Sequence, residues 1–196
     1  MGLPDGVRLE PLSRATVRGA IAVKNAGWRD TYLPWLGGDY LDRVDASLEE
    51  NAERWGSALD AGTLLPTWVA LDPSGEVIGV SAGGPVTLTQ AVHRPLGGGA
   101  DGVELEGDPE ESGTASRRPI AHELAVLYVI ADWRGVGVAE ALAAKIIEGH
   151  AAFLWVLEEN PRARGFYAKL GFEADGAVRD LPADWNGARE VRMVRW

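Results

Sequence analysis

Short apolar runs bounded by glycine and proline alternate with longer stretches of helical spacing, the pattern of an α/β domain. Val7 to Leu12 reads as a first strand, and Ser13 as the cap of a helix over about Arg14 to Ala26. Tyr40 to Leu59 reads as further helix. Thr67 to Leu71 and Glu76 to Ser81 flank Asp72-Pro73-Ser74-Gly75, whose turn chemistry makes the pair a hairpin. From about Gly83 to Arg118 the periodicity is lost. This stretch holds Gly97-Gly98-Gly99 and six acidic residues between Asp101 and Glu111 with no basic one among them, and it reads as a solvated insertion. His122 to Ile130 is the next strand, followed by a helix from Gly137 to about Glu148 that Gly149 and His150 end. Phe153 to Leu157 is a strand and Pro161 to Leu170 a helix. Phe172 to Arg179 and Arg189 to Trp196 form a closing antiparallel pair, linked through Leu181 to Gly187.

The chain of 196 residues, 46% hydrophobic, has the size and apolar content of one domain, residues 1–196. It has no run of about eighteen apolar residues, and Met1-Gly2-Leu3-Pro4-Asp5 lacks the basic and apolar parts of a signal peptide. A cytoplasmic protein without membrane contact is expected. The chain has no cysteine, which excludes disulfides, thiolate-held metal and a cysteine acyl intermediate. His93, His122 and His150 are far apart in sequence, so no metal is expected. A net charge of −10 argues against nucleic acid as partner, because phosphate-backbone binding relies on basic patches. Cationic substrates suit this charge, although solubility alone also accounts for it.

Candidate chemistry concentrates where the apolar run Leu124 to Ile130 ends in Arg134-Gly135-Val136-Gly137-Val138-Ala139 and a helix begins. Glycines let backbone approach an anion, the first N–H groups of the helix lack intrahelical partners, and the helix dipole adds about half a positive charge. Such a junction binds phosphate. The spacing lacks the Gly-Lys-Ser/Thr of a Walker loop. It also lacks the third glycine of a dinucleotide loop, since Glu140 stands there.

The segment resembles motif A of the GNAT superfamily of N-acetyltransferases, Arg/Gln-x-x-Gly-x-Gly/Ala, with Arg134, Gly137 and Ala139 in its defined positions. A second match follows in order: Leu154 to Asn160, then Pro161 to Phe172, where Gly165-Phe166-Tyr167-Ala168-Lys169-Leu170-Gly171-Phe172 carries the family's Phe-Tyr-x-x-x-Gly-Phe signature. Trp28, Tyr32 and Tyr40-Leu41 match more loosely. The resemblance implies a GNAT-type mixed, mostly antiparallel sheet with helices on both faces. It implies acetyl-CoA as cosubstrate, with its pyrophosphate on Arg134, Gly135, Val136, Gly137, Val138 and Ala139, and its pantetheine arm beside Asn160 and the backbone of Leu127, Tyr128 and Val129. The third helix, ending at Gly149, is about a turn shorter than family members usually show.

The family's chemistry is direct attack of an amine on the thioester, which needs a proton acceptor for the ammonium and a donor for the departing thiolate. Tyr167 fills the donor position of the resemblance, and Glu123 is the first candidate base, directly or through water, with Glu158 and Glu159 in reserve. Trp28 and Tyr32, with Trp35, fall near the first helix-to-helix turn that covers the acceptor, and Trp185 flanks its other side. The expected activity is acetyl transfer to a primary amine, small molecule or peptide, in a ternary complex, by a monomer or homodimer. The alternative is a catalytically silent acyl-CoA-binding sensor on the same fold. A ribosome-associated or nucleic-acid-directed modifier of protein N-termini is disfavoured by the charge.

Overall fold

The computed structural model describes residues 2–86 and 120–196. Its strands are β1 (Arg8–Pro11), β2 (Thr67–Leu71), β3 (Val77–Pro85), β4 (His122–Val129), β5 (Ala152–Leu157), β6 (Glu173–Asp180) and β7 (Arg189–Arg195). Its helices are α1 (Val17–Leu36), α2 (Gly38–Ala46), α3 (Leu48–Asp60), α4 (Val138–Ile147) and α5 (Pro161–Lys169), with short helical turns at Ala131–Trp133 and Ala183–Trp185. The strands form one sheet in the order β1-β2-β3-β4-β5-β7-β6. Every neighbouring pair is antiparallel except β4 and β5, which are parallel and share a single register pair, Glu123 with Phe153. The fold is therefore mixed α/β and mostly antiparallel, as the resemblance implied.

Local chemistry sets most boundaries. The Asp72 carboxylate accepts the N–H groups of Ser74 (2.8 Å) and Glu76 (2.9 Å), closing the β2–β3 turn in which Gly75 has φ +90°. Asn160 caps α5 by accepting the Ala163 N–H at 3.0 Å, and Pro161 begins the helix, an arrangement worth about 1 kcal/mol.

Four expectations need correction. Helix α1 does not stop near Ala26 but runs 20 residues to Leu36, so Trp28 and Tyr32 lie inside it rather than at a helix-to-helix turn. Gly27 does not break it because its bare backbone meets the ring of Tyr128, and Pro34 is tolerated in the last turn before Gly37 (φ +73°) ends the helix. Ser13 does not cap this helix; Thr16 stands at the N-cap without a side-chain cap bond, and the two hydroxyls bond each other at 3.1 Å. The helix expected over Tyr40 to Leu59 is two helices. They divide at Ser47, whose hydroxyl donates to Val44 O (2.8 Å) and accepts from Asn51 (2.8 Å). Of the expected insertion, Gly83 to Pro85 extends β3, and the part from residue 87 on lies outside the described residues.

Helices cover both faces. On one, Val17, Ala20 and Ile21 of α1 and Trp55 of α3 pack on Val69, Val80 and Val126. On the other, Val138, Leu142 and Ile146 of α4 pack on Ile78, Val129 and Leu124. Phe172, leading into β6, closes the second layer against Leu154, Val156 and Met193. Among the described residues no helix is long and apolar enough to cross a membrane.

Candidate active site

The glycine loop has the backbone its sequence required. Gly135 (φ +76°) and Gly137 (φ +97°) occupy the left-handed region that side chains disfavour, and Gly137 is the N-cap of α4. The backbone N–H groups from Gly135 through Ala139 donate to no described residue. They form a run of free donors at the positive end of a ten-residue helix. Arg134 serves the loop differently from its neighbours. Its Nε donates to Val129 O at 2.9 Å and its Nη2 pairs with Asp30 at 2.5 Å, so its side chain ties the loop to β4 and α1.

Beside the loop the sheet is open. After the Glu123–Phe153 pair no further register joins β4 to β5. Ile130 donates its N–H to Ile78 O at 3.0 Å, so the alternation of an antiparallel ladder turns Tyr128's backbone toward β3, opposite Val80. Leu127 and Val129 turn theirs toward β5, into the gap. Val129 O accepts Arg134, which leaves its N–H and both groups of Leu127 facing the opening. Of the three strand positions expected to offer backbone, two are so disposed and Tyr128 is not.

A bulge decides where Glu123 goes. Ala82 pairs with Val126 and Gly83 with Leu124, so Ala125 is an extra residue on β4. C-terminal to it, Val129 packs on α4 and Val126 on the α1 layer. N-terminal to it the alternation is reversed: Leu124 packs on Ile146, and His122 Nε2 bonds Ile146 O at 2.8 Å. Glu123 therefore joins Val126 and Tyr128 on the α1 side, 4% exposed, at the closed end of the gap. Glu158 instead pairs with Arg189 at 2.5 Å on the rim, and Glu159 is exposed, which separates both from the opening.

At the open end three tyrosines converge from opposite sides of the sheet. Tyr167 packs with the α4 and α5 layer, edge-on to Phe166 (5.3 Å) and Phe172 (6.0 Å). Tyr32 and Tyr128 belong to the α1 layer. Burial holds the Tyr128 phenol well above the ordinary value, and the neighbouring Tyr167 raises it further. Hydrogen bonding with Tyr32 and Trp28 acts on Tyr128 in the opposite direction. Burial likewise raises Tyr32 and Tyr167, and the charge acting on Tyr167 is that of Glu190. Sequence reasoning missed Glu190. It lies on β7 opposite Leu157, 7% exposed, and Arg179 holds it through Nη2 at 2.6 Å and Nε at 2.8 Å. Its only sequence signal was a lone acid in the last strand, between Arg189 and Val191, paired across the hairpin with an arginine.

Trp28, Tyr32 and Trp185 pack edge-to-face in a closed triangle with centroid separations of 5.2, 5.7 and 5.2 Å. Asn186 donates from its amide to Trp35 O at 2.5 Å, fastening the β6–β7 connection to the end of α1. Trp28 and Tyr32 are thus together, and Trp185, expected on the other side, packs against them instead. Among the described residues no cluster of His, Asp or Glu could hold a metal ion.

A glycine loop of free donors at a helix N-terminus, beside a parallel pair that opens immediately, defines an acyl-transferase architecture. The chain belongs to the GNAT acetyltransferases: the family model described as Acetyltransferase (GNAT) domain matches residues 65–174. No curated protein matches the chain by sequence. Similar solved structures include a ribosomal-protein-alanine N-acetyltransferase from Brucella melitensis, with TM-score 0.60 and 18% identity over 96% of this chain and 98% of that one. PaiA N-acetyltransferase from Thermoplasma acidophilum, in complex with coenzyme A, has TM-score 0.58 and 16% identity over 96% and 98%. A variant of spermidine N-acetyltransferase SpeG from Vibrio cholerae has TM-score 0.58 and 17% identity over 97% and 94%.

Proposed function

We propose that the protein transfers the acetyl group of acetyl-CoA to a primary amine by direct attack within a ternary complex. The observation that carries this is the continuity of free backbone donors, from Gly135–Ala139 into the gap at Val129 and Leu127. The loop fits a pyrophosphate: its donors are unpartnered, and the space a Cβ at Gly135 would take is open. Leu127 and Val129 offer the amide ladder that a pantetheine arm needs, and Asn160, already engaged as the α5 cap, borders it.

Tyr167 keeps its proton at neutral pH because burial and Glu190 both oppose ionisation, so its hydroxyl donates to the thiolate as the C–S bond breaks. The ammonium must lose a proton before nitrogen attacks the carbonyl carbon. Glu123 takes that proton through water, and Glu190 holds the amine at the open end. Two buried carboxylates facing the gap favour an enzyme over a silent sensor.

Release of free CoA thiol from acetyl-CoA across a panel of amines, aminoglycosides and peptides tests the proposal. Acceptor-dependent release with a matching acetylated amine by mass supports it; tight acetyl-CoA binding with no release on any acceptor class would favour the sensor.

A further inference from the structure

Lys24 is a buried cation without a counterion among the described residues. It lies on the inner stripe of α1, one turn before Trp28, and is 7% exposed. Its Nζ is 4.7 Å from the centroid of the Trp28 ring, and among the described residues no carboxylate pairs with it. The nearest charge acting on it is of the same sign, Arg54 of α3, whose guanidinium donates to Asn51. Removing the Lys24 ammonium from water is costly, and folding gains nothing from leaving it beside a cation of the same sign. Leucine or methionine would pack the same stripe without the desolvation.

The Trp28 ring connects this cation to the reaction centre. Its ring contacts Tyr32 and Trp185 edge-on, and Gly27, the residue before it, lies against the ring of Tyr128. Lys24 is therefore beside the aromatic wall of α1, while Glu190 is on β7, opposite Leu157. The two elements carry opposite charge. We propose that Lys24, seated on Trp28 beside Arg54, receives an anionic group, carboxylate or phosphate, carried by the acceptor amine. The acceptor class is then a dipolar one, with its ammonium toward Glu190 and Tyr167 and its acid group toward Lys24. The long flexible stem of a lysine lets the ammonium turn from the ring face to an incoming anion. This inference rests on the acetyl-transfer proposal for the same site.

Matched acceptor pairs test it. The pairs are an α- and an ω-amino acid against their amides, and O-phosphoethanolamine against ethanolamine, with spermidine as a polycationic comparison. Each is measured for thiol release and, separately, by calorimetric binding to the CoA-loaded protein. The acid member of a pair should bind more tightly by about 10- to 100-fold, the range of a charge-assisted hydrogen bond. Lys24→Met should collapse that ratio and Lys24→Arg retain it, with CoA binding confirming that each variant is folded. Preference for the carboxylates or for the phosphate identifies the source of the anion. Turnover of amides or spermidine in preference to the acids, or a ratio unchanged in Lys24→Met, overturns the inference while leaving acetyl transfer intact. Lys24-dependent binding of the acids without any turnover upholds it and removes the transfer reaction instead.

Discussion

The ring of Tyr128 fills the volume that a side chain at Gly27 would need: a Cβ there would run into Cδ1 and lie 2.7 Å from Cγ. Helix α1 thereby rests on β4 at backbone-to-ring contact. Gly27→Ala would gain about 1 kcal/mol in helix propensity but incur about 1–3 kcal/mol of overpacking. Net destabilisation in urea unfolding is expected, with lower activity. In a Tyr128→Leu background the same alanine should stabilise; a penalty that persists there would mean the contact is not its cause.

Gly137 is constrained by its own backbone. At φ +97° valine is strained by about 1–3 kcal/mol, and relaxing that strain rotates the loop N–H groups away from their common focus. Gly137→Val should weaken acetyl-CoA in calorimetric titration by tenfold or more. Gly165→Ala in α5, where nothing lies within 4 Å of the added atom, should not. Equal affinities in the two folded variants would detach the loop from the cofactor.

Tyr167→Phe keeps the ring against Phe166 and Phe172 and removes only the donor. Turnover should fall by about 10² to 10⁴ with acetyl-CoA affinity nearly unchanged. Normal turnover, with chemistry shown to limit the rate, would exclude the hydroxyl from the transfer.

The two buried carboxylates separate by kinetics. Glu123→Gln should lower kcat with KM for the amine little changed. Glu190→Gln should chiefly raise KM for the amine. The reverse pattern would move the base to β7.

Lys24 makes stability depend on alkaline pH. Burial, with Arg54 beside it, lowers its pKa to about 8, against an ordinary 10.5 that the unfolded chain retains. The unfolded chain thus binds more protons between pH 8 and 10.5, and stability rises with pH across that window. Below pH 8 the full penalty is present, of order 3 kcal/mol. At pH 7 Lys24→Met should therefore be more stable than the parent, and the difference should vanish toward pH 10.5. A difference independent of pH would show that Lys24 is not buried as a cation. Taking parent minus variant cancels the tyrosines, whose raised values act oppositely above pH 10.

Local chemistry made much of the fold legible. The turn at Asp72–Gly75, the cap at Asn160-Pro161 and the paired glycines 135 and 137 each depend on contacts within a few residues, so sequence alone located the hairpin, α5 and the anion loop. The order of two motifs located Tyr167. What sequence misjudged depended on partners far along the chain. Helix α1 passes Gly27 because Tyr128, about a hundred residues later, fills the glycine's empty side, and no local stop signal records that.

The candidate site divides in the same way. The sequence by itself determined the residue types, the glycine loop and the strand-to-helix junction, because backbone conformation and helix ends are set by neighbours. Only the tertiary structure decided which face Glu123 takes, since one bulged residue at Ala125 reverses the side-chain alternation of everything N-terminal to it. Only the tertiary structure brought Glu190 from β7 and Tyr167 from α5 to the same hydroxyls, because the parallel pair that opens between them is a property of strand packing and not of either strand. And only burial turned Lys24 into a desolvated cation with no carboxylate partner among the described residues, since desolvation is set by what packs around a residue.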